Sequence, residues 1–214
     1  EEARAKGIRI LTGSAVIEAR GSKHVTAARV AAIDVKAHKV TSPGEWLDCD
    51  LVASSGGYSP VVHLASHLGG KPIWREDILG FVPGEAPQKR VCVGGINGVY
   101  GLGDSLADGF EGGVRAASEA GFAPVEGTLP KALSRLEEPT LAVYQVPHDK
   151  PTARAPKQFV DLQNDVTAAA IELATREGFE SVEHVKRYTA LGFGTDQGKL
   201  GNVNGLAIAA RSLN

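Results

Sequence analysis

CDLVASSGGYSP, residues 49–60, decides the fold class. Cys49–Ala53 is a short apolar run with Asp48 and Asp50 at its start, and it stops at Ser54-Ser55-Gly56-Gly57. Ser59-Pro60 then offers an N-cap followed by proline at the first helical position, so the stretch predicts strand, turn and helix in succession. Val61, Leu64, Ala65 and Leu68 share one face of that helix, and Gly69-Gly70 ends it. Downstream, RVCVGGINGVYG (residues 90–101) repeats the plan: a buried strand Arg90–Val93, the turn Gly94-Gly95-Ile96-Asn97-Gly98, and a helix to about Ala120 with Gly121 beyond it. Along this second helix Gly109, Gly113, Ala116 and Ala120 recur at three- or four-residue spacing, which predicts close packing against a sheet or a ligand. Two strand-turn-helix units give an α/β class. They also form the local geometry that holds a nucleotide phosphate on backbone N–H groups, with Ser55, Gly56, Gly57, Gly95, Ile96 and Asn97 as candidate contacts.

Upstream, Ile8–Leu11, Ala15–Glu18 and Val25–Ile33 read as strands separated by Thr12-Gly13 and Arg20-Gly21-Ser22, a β-meander. A polar turn, Thr41–Glu45, leads to the strand at 49–53. Residues 123–158 hold six of the eleven prolines and form a connecting arm whose Leu129, Leu133, Leu136, Leu141, Val143 and Tyr144 predict packing over a surface. The remainder is helical: Thr167 caps Ala168–Glu177, Ser181 caps Val182–Leu191, and the glycine-rich loop Gly192–Gly201 opens a third helix near Asn202. The expected organisation is a dinucleotide-type domain at 1–122, the arm at 123–158 and a small helical domain at 159–214.

Composition narrows the function classes. At 214 residues the chain should bury about 70% of its unfolded surface. A net charge of −2 without a dense basic block gives no support for nucleic acid or an anionic membrane as bulk partner. Neither a membrane-length apolar run nor a signal-peptide pattern is present, so a cytoplasmic location is expected. The absence of methionine marks the chain as a piece of a longer parent. Cys49 and Cys92, far apart in apolar segments, read as small hydrophobes. His63 and His67, four apart, lack a third ligand; His184 reads as a surface residue, and Trp46 and Trp74 as packing groups. No serine has a nucleophile-elbow context, and no catalytic residue or metal site is expected.

CDLVASSGGYSP resembles the motif that closes the NAD-type insertion of two-dinucleotide flavoproteins. RVCVGGINGVYG resembles their late strand that ends in Gly-Asp, the acid that bonds the flavin ribityl chain. Gly95 matches that glycine, Ile96 replaces the acid, and Gly103-Asp104 falls too late, at a helix start. The resemblance then implies NAD in preference to FAD, with the GxGxxG strand missing from this piece. Over nearly the full length, on ASSGGYSPVVHLASHLGGKPIW, FVPG, FVDLQNDVT, SVEHVKRYTALGFGTDQGK and NVNGLAI, the chain resembles the α subunits of heterotetrameric sarcosine oxidases. That resemblance implies oxidative demethylation of sarcosine to glycine with hydrogen peroxide, and one-carbon transfer to tetrahydrofolate through a downstream domain. It also implies NAD in the α subunit, FMN at the interface with the beta subunit, and gamma and delta subunits in the assembly. The α subunits of amine or opine dehydrogenases or of cyanide synthases, and a non-catalytic scaffold or interaction module, are the alternatives.

Residues 160–202 also resemble a ferredoxin-like 2Fe–2S module. Its four cysteine positions fall on Asp161, Gln163, Asp196 and Gly201, none of which supplies the thiolate that holds such a cluster. No iron–sulfur cluster is therefore expected. Thr195, Gln197 and Lys199 in the retained loop, with Arg187 and Lys186 on the preceding helix, offer instead a hydroxyl, an amide and cations suited to the FMN phosphate.

Overall fold

The computed structural model describes residues 2–67, 69–123, 127–129, 131–132 and 141–214. Contacts group the chain into two compact units, Glu1–Ser55 with Ala142–Asn214, and Gly56–Leu141.

The first unit begins with a single helical turn, α1 (Glu2–Ala5), and an antiparallel sheet. Strand β1 (Ser14–Gly21) pairs with β2 (Val25–Asp34), which carries β3 (Lys39–Val40) and β4 (Glu45–Asp48) on its other side. The β1–β2 reversal needs Gly21: its φ is 142° and a Cβ there would strike the carbonyl of His24. One bulge interrupts the ladder between Val16 and Glu18, and the intervening Ile17 is buried. Of the three strands expected in the meander, those at Ala15–Glu18 and Val25–Ile33 are present, as β1 and β2.

Two other expectations are corrected. Ile8–Leu11 lies outside the sheet, tied to it through Arg9, which bonds Glu45 at 2.5 Å. The strand predicted at Cys49–Ala53 falls earlier, at β4, because β2 supplies a ladder partner only as far as Thr26, whose carbonyl accepts from Cys49 N at 3.2 Å.

In the same unit the helical module opens on an unforeseen hairpin, β7 (Phe159–Asp161) with β8 (Val166–Thr167). Three helices follow: α4 (Ala168–Arg176), α5 (Val182–Thr189) and α6 (Asn202–Leu213). Thr167 caps α4 as expected, its hydroxyl accepting from Ala170 N at 3.2 Å. Ser181 occupies the N-cap of α5 without a side-chain bond. α5 stops at Thr189, short of the predicted Leu191, since Ala190 turns left-handed (φ 64°) and sends Leu191 into the core. Ile171, Leu191, Ile208, Val166 and Val185 form that core; each large side chain buried in it stabilises by about 1.5–3 kcal/mol. Gly205 lets α6 approach Leu191, where a Cβ would collide with it.

The arm enters this unit from residue 142. Gln145 and Pro147 are its buried members and Tyr144 is half-buried, whereas Leu129, Leu141 and Val143 of the predicted packing residues are exposed. Pro124, Pro130, Leu133, Leu136 and Pro139 lie outside the described residues, as does Leu68.

The second unit holds α2 (His63–Ser66), a hairpin of β5 (Ile73–Arg75) and β6 (Gly80–Val82), and the long helix α3 (Leu102–Glu119). α2 starts three residues after Pro60 and is not capped by Ser59. Arg90–Val93 makes no ladder: Val93 keeps extended dihedrals, but no described strand lies beside it to pair. α3 runs as predicted and ends on Gly121 (φ 85°). Its packing glycine is Gly112, buried where a Cβ would strike Val93 and Val91; Gly109 and Gly113 face open space.

Candidate functional site

The glycine loop of the helical module is closed at the four ferredoxin positions, three of them through side chains. Asp161, 7% exposed, accepts from Gln163 N (2.8 Å) and Asn164 N (3.1 Å) on Oδ1. Its Oδ2 accepts from Gly192 N (2.9 Å) and Asn164 Nδ2 (3.3 Å). Burial pushes this carboxyl up, but the donors from Gly192, Asn164 and Gln163 outweigh it and hold the group below the usual carboxylate range. Gln163 Oε1 takes both the amide and the hydroxyl of Thr195, each at 2.7 Å. Asp196 accepts from Gly198 N at 3.3 Å and Leu200 N at 3.2 Å. Gly201 rests on the carbonyl of Val160, leaving no room for a Cβ. Asn202 wedges its amide between Gly192 and Gly198, with Oδ1 buried and unpartnered.

Such a donor set does not suit iron bound through sulfur: the three side chains present oxygen atoms already committed to loop N–H groups, and the fourth position has no side chain. The same commitments narrow the anion site. Thr195 is engaged by Gln163, and Gln197 Nε2 donates to Gly194 O at 3.2 Å. Lys199 on the loop and Arg187 on α5 are exposed, and among the described residues neither side chain has a hydrogen-bond or ion-pair partner. Leu162 and Leu200, 78% and 80% exposed, and Phe193 add an apolar surface on the hairpin and loop.

In the second unit Gly95, Ile96 and Asn97 share one 3₁₀ turn, Gly94–Asn97, closed by Gly98 (φ 77°). Gly94 N, the donor a phosphate would use, is already bound by Asp108 Oδ2 at 2.6 Å. A phosphate does not fit beside that carboxylate; a ribose hydroxyl, able to donate to it, does. Asn97 is held from both sides, its amide donating to Cys92 O and its carbonyl accepting from Arg75 at 2.9 Å. Gly56 and Gly57 are exposed with open space around them, and Tyr58 beside them meets Tyr100 at 5.3 Å between ring centroids. That contact ties together the two glycine turns of this unit. Ser55 belongs to the first unit. Asp108 and the two tyrosines escaped the sequence reading, although Asp108 stands four residues after Asp104 on the same helix face.

Residues 155–214 match the family described as the sarcosine oxidase A3 domain. Sarcosine oxidase subunit alpha of Corynebacterium sp. strain P-1 is 33% identical over 214 residues, covering 99% of this chain. The strain U-96 protein of the same name is 36% identical over 97% of the chain, and that of Rhizobium meliloti strain 1021 is 37% identical over 78%. The chain belongs with the sarcosine oxidase α subunits. It spans 22% of the length of the two Corynebacterium relatives and 17% of the Rhizobium one. L-proline dehydrogenase from P. horikoshii has a similar fold at 18% identity, with a TM-score of 0.63 over 98% of this chain and 41% of its own. The chain thus shares a fold of mixed helix and strand with that dehydrogenase. Among the described residues no helix is long and apolar enough to cross a membrane.

Proposed function

We propose that this chain is a cofactor-holding segment of the α subunit of a cytoplasmic, heterotetrameric sarcosine oxidase, an enzyme that demethylates sarcosine to glycine. In this reading the second unit belongs to a two-dinucleotide flavoprotein-type domain that binds NAD. Gly56, Gly57 and Gly95–Asn97 line the nucleotide, and Asp108 takes a ribose hydroxyl. The helical module holds no iron–sulfur cluster and meets FMN and the beta subunit, with gamma, delta and a downstream tetrahydrofolate domain completing the assembly. Bound FMN supplies electron transfer; the residues here bind and orient it, and the catalytic groups for amine oxidation lie elsewhere.

The observation that carries this reading is a pair of exposed cations, Lys199 on the glycine loop and Arg187 on the preceding helix α5. Thr195 and Gln197 of the loop are internally committed, whereas among the described residues neither cation has a side-chain partner. A phosphate dianion suits them, since charge-assisted bonds are about twice as strong as neutral ones. The apolar Leu162, Phe193 and Leu200 fit a subunit contact beside it. The test is the FMN content of the assembled complex. Lys199→Ala and Arg187→Ala complexes should purify with FMN depleted, most in the double variant, while the subunits remain associated. Undiminished FMN in the double variant would sink the assignment.

A further inference from the structure

We infer that the arm segment 142–150 is held against the helical module by an acid-releasable latch made of Arg211, Gln145 and His38. Arg211, near the end of α6, donates through Nη2 to Gln145 Oε1 and lies 3.2 Å through Nη1 from His38 Nδ1, in the turn between β2 and β3. Three elements distant in sequence thus converge on one guanidinium. Gln145 is 8% exposed and passes the tie onward: its Nε2 donates to Gln158 Oε1 at 2.5 Å, and Gln158 Nε2 donates back to Val146 O at 2.7 Å. The arm is therefore held by polar bonds around a buried amide, where the sequence led one to expect leucines.

The latch senses acid because a guanidinium only donates. His38 Nδ1 must offer a lone pair to Arg211, which requires the neutral imidazole carrying its proton on Nε2. Protonation at Nδ1 would set N–H against N–H and one cation against another. The other charged groups near His38 do not remove the conflict. Glu172, on α4, favours the imidazolium, but its carboxylate already accepts from Thr152 Oγ1 at 2.7 Å. On His38's own turn Asp34 accepts from Ala37 N at 2.9 Å, and Lys36 and Lys39 add positive charge. Burial first, then Arg211, lowers the imidazole's pKa, with Glu172 opposing. The stabilising tie is thus complete above the ordinary histidine value and is lost as pH falls through the depressed one.

A second anchor holds the arm at its other end. Arg29 on β2 binds Asp149 Oδ2 and Glu18 Oε2, each at 3.3 Å, and Asp149 is held below the usual carboxylate range. His148 beside them lies 2.8 Å from Asp149 Oδ1 and, through Nε2, 3.4 Å from Arg29 Nη2. Mild acid therefore loosens the segment at its Arg211 end. The cleft of about 340 Å³ that Val143–Val146 share with β1 and α6 then opens on the freed side.

Hydroxyl-radical footprinting of the complete subunit, read by mass spectrometry, tests this. Labelling of 142–147, normalised to 25–34, should rise several-fold between about pH 8 and about pH 5 in the wild type. His38→Gln keeps a neutral acceptor and should stay protected at both pH values; Arg211→Gln should be labelled at both. Wild-type labelling unchanged by pH, or an equal rise in His38→Gln, would overturn the latch. So would a His38→Gln arm already open at about pH 8.

Discussion

The helical module and the second unit both carry a glycine-rich turn ahead of a helix, and they stabilise it by opposite means. In the module the loop is backed by Ile171, Leu191 and Ile208 and stitched by Asp161, Gln163 and Asp196, so a buried core and a side-chain network both hold it. In the second unit the turn at Gly94 is held by the Asp108 carboxylate, the bonds of Asn97 with Cys92 and Arg75 and a tyrosine contact, while Val61, Leu64, Leu102 and Phe122 stand exposed. The difference teaches that a glycine turn is no more rigid than what lies behind it. A closed polar network makes a self-sufficient site; an extended segment without ladder partners does not.

Thermal unfolding of the complete subunit can break or sharpen this contrast. The largest effect expected is Ile171→Ala, which opens a cavity in the module's core and costs about 2–5 kcal/mol. A smaller loss would mean that the module yields more easily than its packing implies. Asp161→Ala strands the N–H groups of Gly192, Gln163 and Asn164, at about 1–3 kcal/mol for a buried donor left unmade. Because the Asp161 carboxyl sits below its usual range, its contribution is present above that range and lost as pH falls through the depressed value. Asp161→Asn should therefore flatten the acid limb of a stability-against-pH curve. Gly112→Ala in α3 overpacks against Val93, and such changes cost about 1–3 kcal/mol in a tight core. With no ladder to resist displacement of 90–93, the measured cost should fall at the low end. Thr167→Ala removes the α4 cap for about 1 kcal/mol. Lys199→Ala should leave stability within about 0.5 kcal/mol while FMN content falls, separating binding from folding.

The sequence disclosed the module well because its signals are local: Thr167 three residues before Ala170, Gly178 after α4, and apolar spacing that places Ile171 and Ala174 inward. The absence of thiols at Asp161, Gln163, Asp196 and Gly201 was equally plain. Their second role, accepting the loop's own N–H groups, was hidden, because it joins residues up to thirty-two positions apart. The strand readings at 8–11, 49–53 and 90–93 failed for one physical cause. Apolar, β-branched residues favour extension, but a strand exists only beside another, and pairing is not written in the segment itself. Packing glycines were misplaced by one helical step, Gly112 for Gly109 and Gly113, since the periodicity does not say which face meets Val93.

The carboxylate on Gly94 has a consequence for any ligand that approaches this turn. Asp108 is a tethered competitor, present at an effective concentration that short linkages commonly raise to the millimolar range or above. An incoming anion must displace it, and its apparent affinity is multiplied by the fraction of time the side chain swings clear, and so reduced. A ligand that brings a hydroxyl recruits the same group. The turn thereby discriminates between donors and acceptors before shape is consulted, and Asp108→Asn would shift that preference without moving the backbone.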